Sequence, residues 1–138
     1  MALSRSETMA RVPSKNTTPE MRVRRVLHAR GLRYRLHARD LPGRPDLVFR
    51  KAKVAVFVHG CFWHSHPGCS RARIPSSRQD YWIPKLERNV KRDAQVQVEL
   101  IDAGWTVVVV WECETKCIDD LADWIQRAVS DRSSGGSD

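Results

Sequence analysis

"KVAVFVHGCFWHSHPGC", residues 53–69, runs a short and nearly all-apolar stretch into a loop that holds three histidines, two cysteines, Phe62 and Trp63. A brief apolar run bounded by turn residues reads as a strand buried on both faces, and so as a central strand of a sheet. "WTVVVVW", residues 105–111, is a second run of this kind, bounded by Gly104 and by Glu112-Cys113.

Working outward, "LPGRPD" is a turn leading into the strand "LVF", and Leu32, Tyr34 and Leu36 alternate with arginines as in a half-buried strand. Thr18-Pro19-Glu20 opens a helix, with Thr18 as cap and Pro19 in the first turn. Val23, Val26 and Leu27 form its buried stripe, and Gly31 stops it. A long helix is expected from about Pro84 to Ala103, on the recurrence of Leu86, Val90, Ala94, Val98 and Ile101. Ile118, Leu121, Ala122, Ile125 and Val129 mark a last helix. The order helix, three strands, helix, strand, helix predicts an α/β fold with a mixed sheet flanked by helices. We expect one domain over residues 17–130, a basic and aperiodic arm over 1–16, and a polar tail over 131–138.

The chain carries 24 Lys and Arg against 16 Asp and Glu, a net charge of +8. Residues 1–53 hold 14 basic and 4 acidic residues, whereas the rest hold 10 and 12, so the excess is local to the N-terminal third. Such an imbalance favours phosphate contact over a merely solvated face. No run of eighteen apolar residues occurs, and no charged start leads into an apolar core, which argues against a membrane span or a secretory signal. Four cysteines in such a chain read as metal ligands or free thiols, not as disulfides.

Cys61, His66 and Cys69 are spaced closely enough to converge on one ion. A structural zinc takes four nitrogen or sulfur ligands in a closed tetrahedron. Cys113, after the second central strand, is the natural fourth donor, with Cys117 as its competitor. All four positions would then be filled by protein, leaving the ion to stiffen the loop that carries Phe62, Trp63 and His64. Asp46 precedes a strand, His59 ends the next one, and Glu20 at a helix start offers a second acid. A carboxylate that holds Mg²⁺, beside an imidazole that can activate water, is what metal-assisted phosphodiester hydrolysis requires.

"LPGRPDLVF", "VAVFVHGCFWH", "YWIPKLERNVKRD" and "GWTVVVVWEC" together resemble the very-short-patch mismatch repair (Vsr) endonucleases, over roughly residues 8 to 114. The resemblance implies a restriction-endonuclease-like fold, a structural zinc, catalytic Mg²⁺, and nicking immediately 5′ of the T in a T·G mismatch. Position by position, it implies Asp46 and the Val58 carbonyl as Mg²⁺ ligands, His64 as general base and His59 beside the scissile phosphate. Glu20 would support a metal-bound water and Asp93 would sit near His59. Zinc would lie on Cys61, His66, Cys69 and Cys113. Phe62, Trp63 and Trp82 would wedge into the duplex, with Met9 entering from the minor groove. The implied setting is double-stranded mismatched DNA in a prokaryotic cytoplasm, at the nucleoid, with a monomer sufficient for one nick and mismatch-repair proteins as candidate partners. The rival readings are a restriction-like or broader structure-specific nicking enzyme and a zinc-stabilised DNA-binding module without catalysis.

Overall fold

The computed structural model describes residues 17–135, so Met9 and the N-terminal arm lie outside the described residues. Its elements are α1 (Thr18–Ala29), β1 (Arg35–Leu36), β2 (Leu47–Phe49), β3 (Val54–His59), α2 (Gln79–Asp102), β4 (Thr106–Trp111) and α3 (Ile118–Gly135), with 3₁₀ turns at Ser70–Ala72 and Glu112–Cys117. The strands form one mixed sheet in the order β1-β2-β3-β4. β1, β2 and β3 pair antiparallel, while β3 and β4 run parallel from Val54↔Thr106 to His59↔Trp111. Parallel neighbours need a long crossover, and α2 supplies it.

Alternation along β3 assigns the two faces of the sheet. Val54 and Val56 join Val23, Leu27, Val108, Val110, Leu121 and Ile125 in a core beneath α1 and α3. Ala55 and Phe57 point the other way and pack with Leu100 and Val96 of α2. Val54, Val56 and Val110 are fully buried, each contributing roughly 1.5–3 kcal/mol. By the same alternation His59 falls on the α2 side, and its ring meets that of Phe57.

The helices depart from the sequence reading in informative ways. Thr17, not Thr18, caps α1: its hydroxyl accepts from the Glu20 N–H at 3.4 Å. Thr18 and Pro19 then occupy the first two helical positions, where a missing N–H costs nothing. α2 begins at Gln79, five residues before Pro84, because Tyr81 and Trp82 anchor the extra turn through Trp82's packing on Phe62 and Trp63. Pro84 deprives only the exposed Asp80 of a helical donor to its carbonyl. The inward face of α2 is Trp82, Leu86, Asn89, Asp93, Val96 and Leu100, whereas Val90, Val98 and Ile101 of the expected stripe are 43%, 57% and 58% exposed. α3 continues through Gly135, into the stretch read as a tail, since each added helical residue gains a backbone hydrogen bond without needing a core. No helix among the described residues is long and apolar enough to cross a membrane.

Candidate active site

The register brings the start of β2 and the ends of β3 and β4 to one edge of the sheet, and α1 delivers its first turn to the same edge. Asp46 immediately precedes β2, and its Oδ2 accepts a hydrogen bond from the Val58 N–H at 2.7 Å. Glu20, only 1% exposed, comes from α1. Its Oε2 accepts from His37 Nε2 at 2.9 Å and from Arg24 Nη1 at 3.5 Å. One ligand-type atom from each of Glu20, His37 and Asp46 lies within 4.8 Å of the other two. Burial pushes the Asp46 carboxyl up to about 7, and the Glu20 charge adds to it against the pull of the Val58 N–H. The turn before Asp46 is pressed onto α2: Gly43 has φ +71°, and a Cβ there would meet Val96 Cγ1 at 2.4 Å.

Across the end of β3 lies a second cluster. His59 and His64 stack face to face, with ring centroids 3.8 Å apart and planes within 5°. His64 Nδ1 stands 2.5 Å from Asp93 Oδ2, so the inward polar position on α2 serves this ring. Burial above all, with the neighbouring His64 adding and Asp93 opposing, draws the His59 pKa down to about 4.

A third cluster closes the loop after β3. Cys61, His66, Cys69 and Cys113 place one donor atom each within 4.8 Å of the others. His66 Nδ1 lies 3.6 Å from Cys61 Sγ and 3.4 Å from Cys113 Sγ. The edge of a tetrahedral zinc site between a nitrogen and a sulfur ligand is about 3.5 Å from the usual bond lengths. Without an ion, burial pushes the Cys61 thiol up to about 12, whereas the Arg71 N–H lowers that of Cys69. Cys117 is exposed and stands apart from this group.

Residues 2–71 match the family described as DNA mismatch endonuclease Vsr. The Type II nicking enzyme V.XorIIP of Xanthomonas oryzae pv. oryzae is 54% identical over 106 residues, covering 77% of this chain and 77% of the relative. The DNA mismatch endonuclease Vsr of Escherichia coli is 37% identical over 120 residues, covering 87% and 76%. The chain belongs to the Vsr family. It is therefore a DNA endonuclease, a hydrolase of phosphodiester bonds. The catalytic domain of the homing endonuclease I-Bth0305I shares the Vsr chain's fold, with a TM-score of 0.59 at 23% identity over 85% of this chain and 98% of that one.

Against this Vsr frame, every site residue expected from the sequence and lying among the described residues falls into one of four neighbouring groups. The fourth is aromatic: Phe62, Trp63 and Trp82 pack edge to face, with centroids 5.2 to 5.6 Å apart. Phe62 and Trp82 are buried, and Trp63 is the half-buried member. Asn89 Nδ2 donates to the Trp63 carbonyl at 3.1 Å and ties the loop to α2. Trp111 lies between two clusters, stacked on His66 at 4.1 Å and edge-on to His59 at 5.2 Å. The sequence reading passed over His37, Asn89 and Trp111. Trp111 had a signal in its place beside Cys113, and His37 in its place opposite Asp46 across a turn.

Proposed function

We propose that this endonuclease nicks the strand carrying T in a T·G mismatch, immediately 5′ of that thymine, with Mg²⁺ as catalytic ion and zinc as structural ion. The observation that carries the catalytic part is the pairing of the Glu20–Asp46 acid cluster with the stacked His59–His64 pair at the end of β3. A buried carboxylate, Glu20, and a half-buried one, Asp46, in mutual reach, the latter raised to about 7, form a site suited to a divalent cation. Asp46 and the Val58 carbonyl would hold Mg²⁺, which supplies charge stabilisation at a phosphoryl oxygen.

The chain's own groups handle the proton. An ionised Asp93 only accepts, so His64 Nδ1 donates to it and leaves Nε2 as the base. Nε2 takes a proton from water as the water oxygen bonds to phosphorus, and the sugar oxygen departs with the electrons of the broken P–O bond. Asp93 holds the ring in the required tautomer and steadies the imidazolium. His59, kept neutral by burial, backs the ring without adding a second positive charge. Zinc on Cys61, His66, Cys69 and Cys113 would have no open position for water, and would fix the loop that carries Trp63 and His64.

Mismatch preference rests on the aromatic group. Wedging between bases costs least where pairing is already poor. Trp63 is the half-exposed ring, and Lys85 Nζ lies 5.7 Å from its centroid, a cation placed for a phosphate beside an aromatic placed for a base. The relatives named as Type II nicking enzymes support nicking and leave a second reading, a nicking enzyme of broader mismatch range. Strand-labelled T·G, G·C and other mismatched duplexes, incubated with Mg²⁺ or with chelator, decide between them. We expect one nick 5′ of the mismatched T, in Mg²⁺ only. Equal nicking of several mismatches would favour the broader enzyme, and binding without cleavage would leave a DNA-binding module.

A further inference from the structure

The acid cluster contains a residue to which neither the resemblance nor the proposed mechanism gives a role. The β1–β2 register pairs Arg35 with Val48 and Leu36 with Leu47. One step further sets His37 opposite Asp46, and the His37 N–H donates to the Asp46 carbonyl at 3.0 Å. This backbone bond brings the imidazole and the carboxylate together, with a ligand-type atom of each within 4.8 Å of the other. His37 adopts φ +48°, in the left-handed region that side chains other than glycine rarely enter. Strained backbone of this kind persists where surrounding contacts fix it, and it concentrates at functional sites.

The imidazole then reaches across to α1. Its Nε2 lies 2.9 Å from Glu20 Oε2, on a carboxylate whose side chain is 2% exposed. A carboxylate oxygen only accepts, so Nε2 carries the hydrogen and is spent on Glu20. It is thereby removed from the set of atoms that can bind a metal directly. Arg24 approaches the same oxygen from one turn along α1. Glu20 is a long side chain brought against a second acid, the half-buried Asp46, an approach that like charges oppose. Two donors on one of its oxygens hold it there.

We propose that His37 is a positioning residue for the divalent cation: it clamps Glu20 beside Asp46, so that the two acids present a fixed seat. The inference rests on the metal-dependent reading above and extends it to a residue that touches neither ion nor DNA. Partners that orient the groups around a metal typically change its affinity by roughly 10–100-fold when removed. His37→Ala therefore raises the Mg²⁺ concentration for half-maximal nicking by about tenfold or more, while the rate at saturating Mg²⁺ recovers to within about threefold. His37→Gln keeps an N–H that reaches Glu20 and restores the midpoint.

The test combines three measurements on the full chain. Mg²⁺ titrations of nicking are run on wild type, His37→Ala, His37→Gln and His37→Asn, whose amide is too short to reach Glu20. Mn²⁺ binding to the same proteins without DNA, followed by electron paramagnetic resonance, gives an affinity that involves no turnover. Thermal melting without added divalent ion reports folding, and the Gln and Asn variants carry the comparison if Ala melts early. The expected result is weak Mn²⁺ binding and a raised Mg²⁺ midpoint in Ala and Asn, with both near wild type in Gln. Unchanged Mn²⁺ affinity and Mg²⁺ midpoint in folded Ala and Asn variants would overturn the role of His37. So would a loss confined to the rate at saturating Mg²⁺. A wild-type chain that nicks equally well in chelator would instead overturn the metal-dependent reading, and the inference with it.

Discussion

On one side of the end of β3 a buried acid, Glu20, meets a half-buried one, Asp46; on the other, two imidazoles stack. The first cluster has too much negative charge for its burial, which is why the Asp46 carboxyl rises to about 7. The second avoids excess positive charge, which is why burial brings His59 down to about 4. One is completed by a cation or a proton and the other by staying short of a proton. On the proposed function, a single strand end, Val58–His59, separates a cation seat from a proton acceptor. The division follows from alternation, since successive side chains of β3 serve opposite faces of the sheet.

The largest effect is expected where both clusters lose their shared frame. Cys113→Ser should lose zinc, the folded loop and all nicking together, because a closed metal site couples binding to folding. Cys117→Ser should keep one zinc per chain, since its thiol is exposed and apart from the cluster. Metal analysis and thermal melting of both variants check this, and retention of full zinc by Cys113→Ser would remove the proposed fourth ligand.

Changes within each cluster should then separate the two. Asp46→Ala is expected to lower Mg²⁺-dependent nicking by about a thousandfold or more, corresponding to several kcal/mol of lost transition-state stabilisation. Mismatch affinity should move by less than about threefold, since phosphate and base contacts carry binding. His64→Ala should cost roughly 10²–10⁴-fold in rate, the range for a lost general base. Its Mg²⁺ midpoint should stay in place, whereas variants of the acid cluster shift theirs. If His64→Ala shifted the Mg²⁺ midpoint as strongly as His37→Ala, the two clusters would be one site.

Much of this arrangement was legible in the chain. β3 and β4 announce themselves as apolar runs, and each ends where its chemistry begins, at His59 and beside Cys113. The inward face of α2 was not legible, for a physical reason. Asn89 and Asp93 occupy buried-side positions because the site needs them there, while Val90 and Val98 face outward. A reading that follows apolar recurrence selects the second set. His37 was missed because β1 is only two residues long, too short to announce a register. Phe62 and Trp82, which the resemblance implies as wedges, form a packed unit with Leu86, a pairing that no periodicity in the chain signals.

That packed unit sets a smaller effect. Trp63→Ala should weaken T·G affinity by about tenfold to a hundredfold relative to G·C, from the roughly 1–3 kcal/mol that stacking on a base is worth. Its melting should change little, because the ring is half exposed. Trp82→Ala should do the reverse and cost about 3–5 kcal/mol of folding stability, as truncation of a fully buried aromatic does. If Trp63→Ala melted as early as Trp82→Ala with mismatch preference intact, Trp63 would belong to the core and not to the wedge.

The smallest effect is a cancellation, and it sharpens the comparison most. His59 has a folded pKa of about 4, below its ordinary value of 6.5, so between these values the unfolded chain holds the extra proton. Its contribution to stability is complete above 6.5 and is lost as pH falls through 4. Asp46 has a folded pKa of about 7, above its ordinary 3.8, so between these values the folded chain holds the extra proton. Its contribution is complete below 3.8 and is lost as pH rises through 7. From about pH 4.5 to 6 the two contributions run with opposite signs. The wild-type chain without Mg²⁺ should therefore change little in urea stability across that window. Asp46→Asn removes the falling component, so its stability should rise with pH. His59→Gln removes the rising component, so its stability should fall. Adding Mg²⁺ should flatten the Asp46 component, since a bound cation replaces the proton, and leave the His59 component unchanged. Parallel profiles in the two variants would mean that the clusters titrate as one network across Val58, and the division of labour between the two faces of β3 would have to be abandoned.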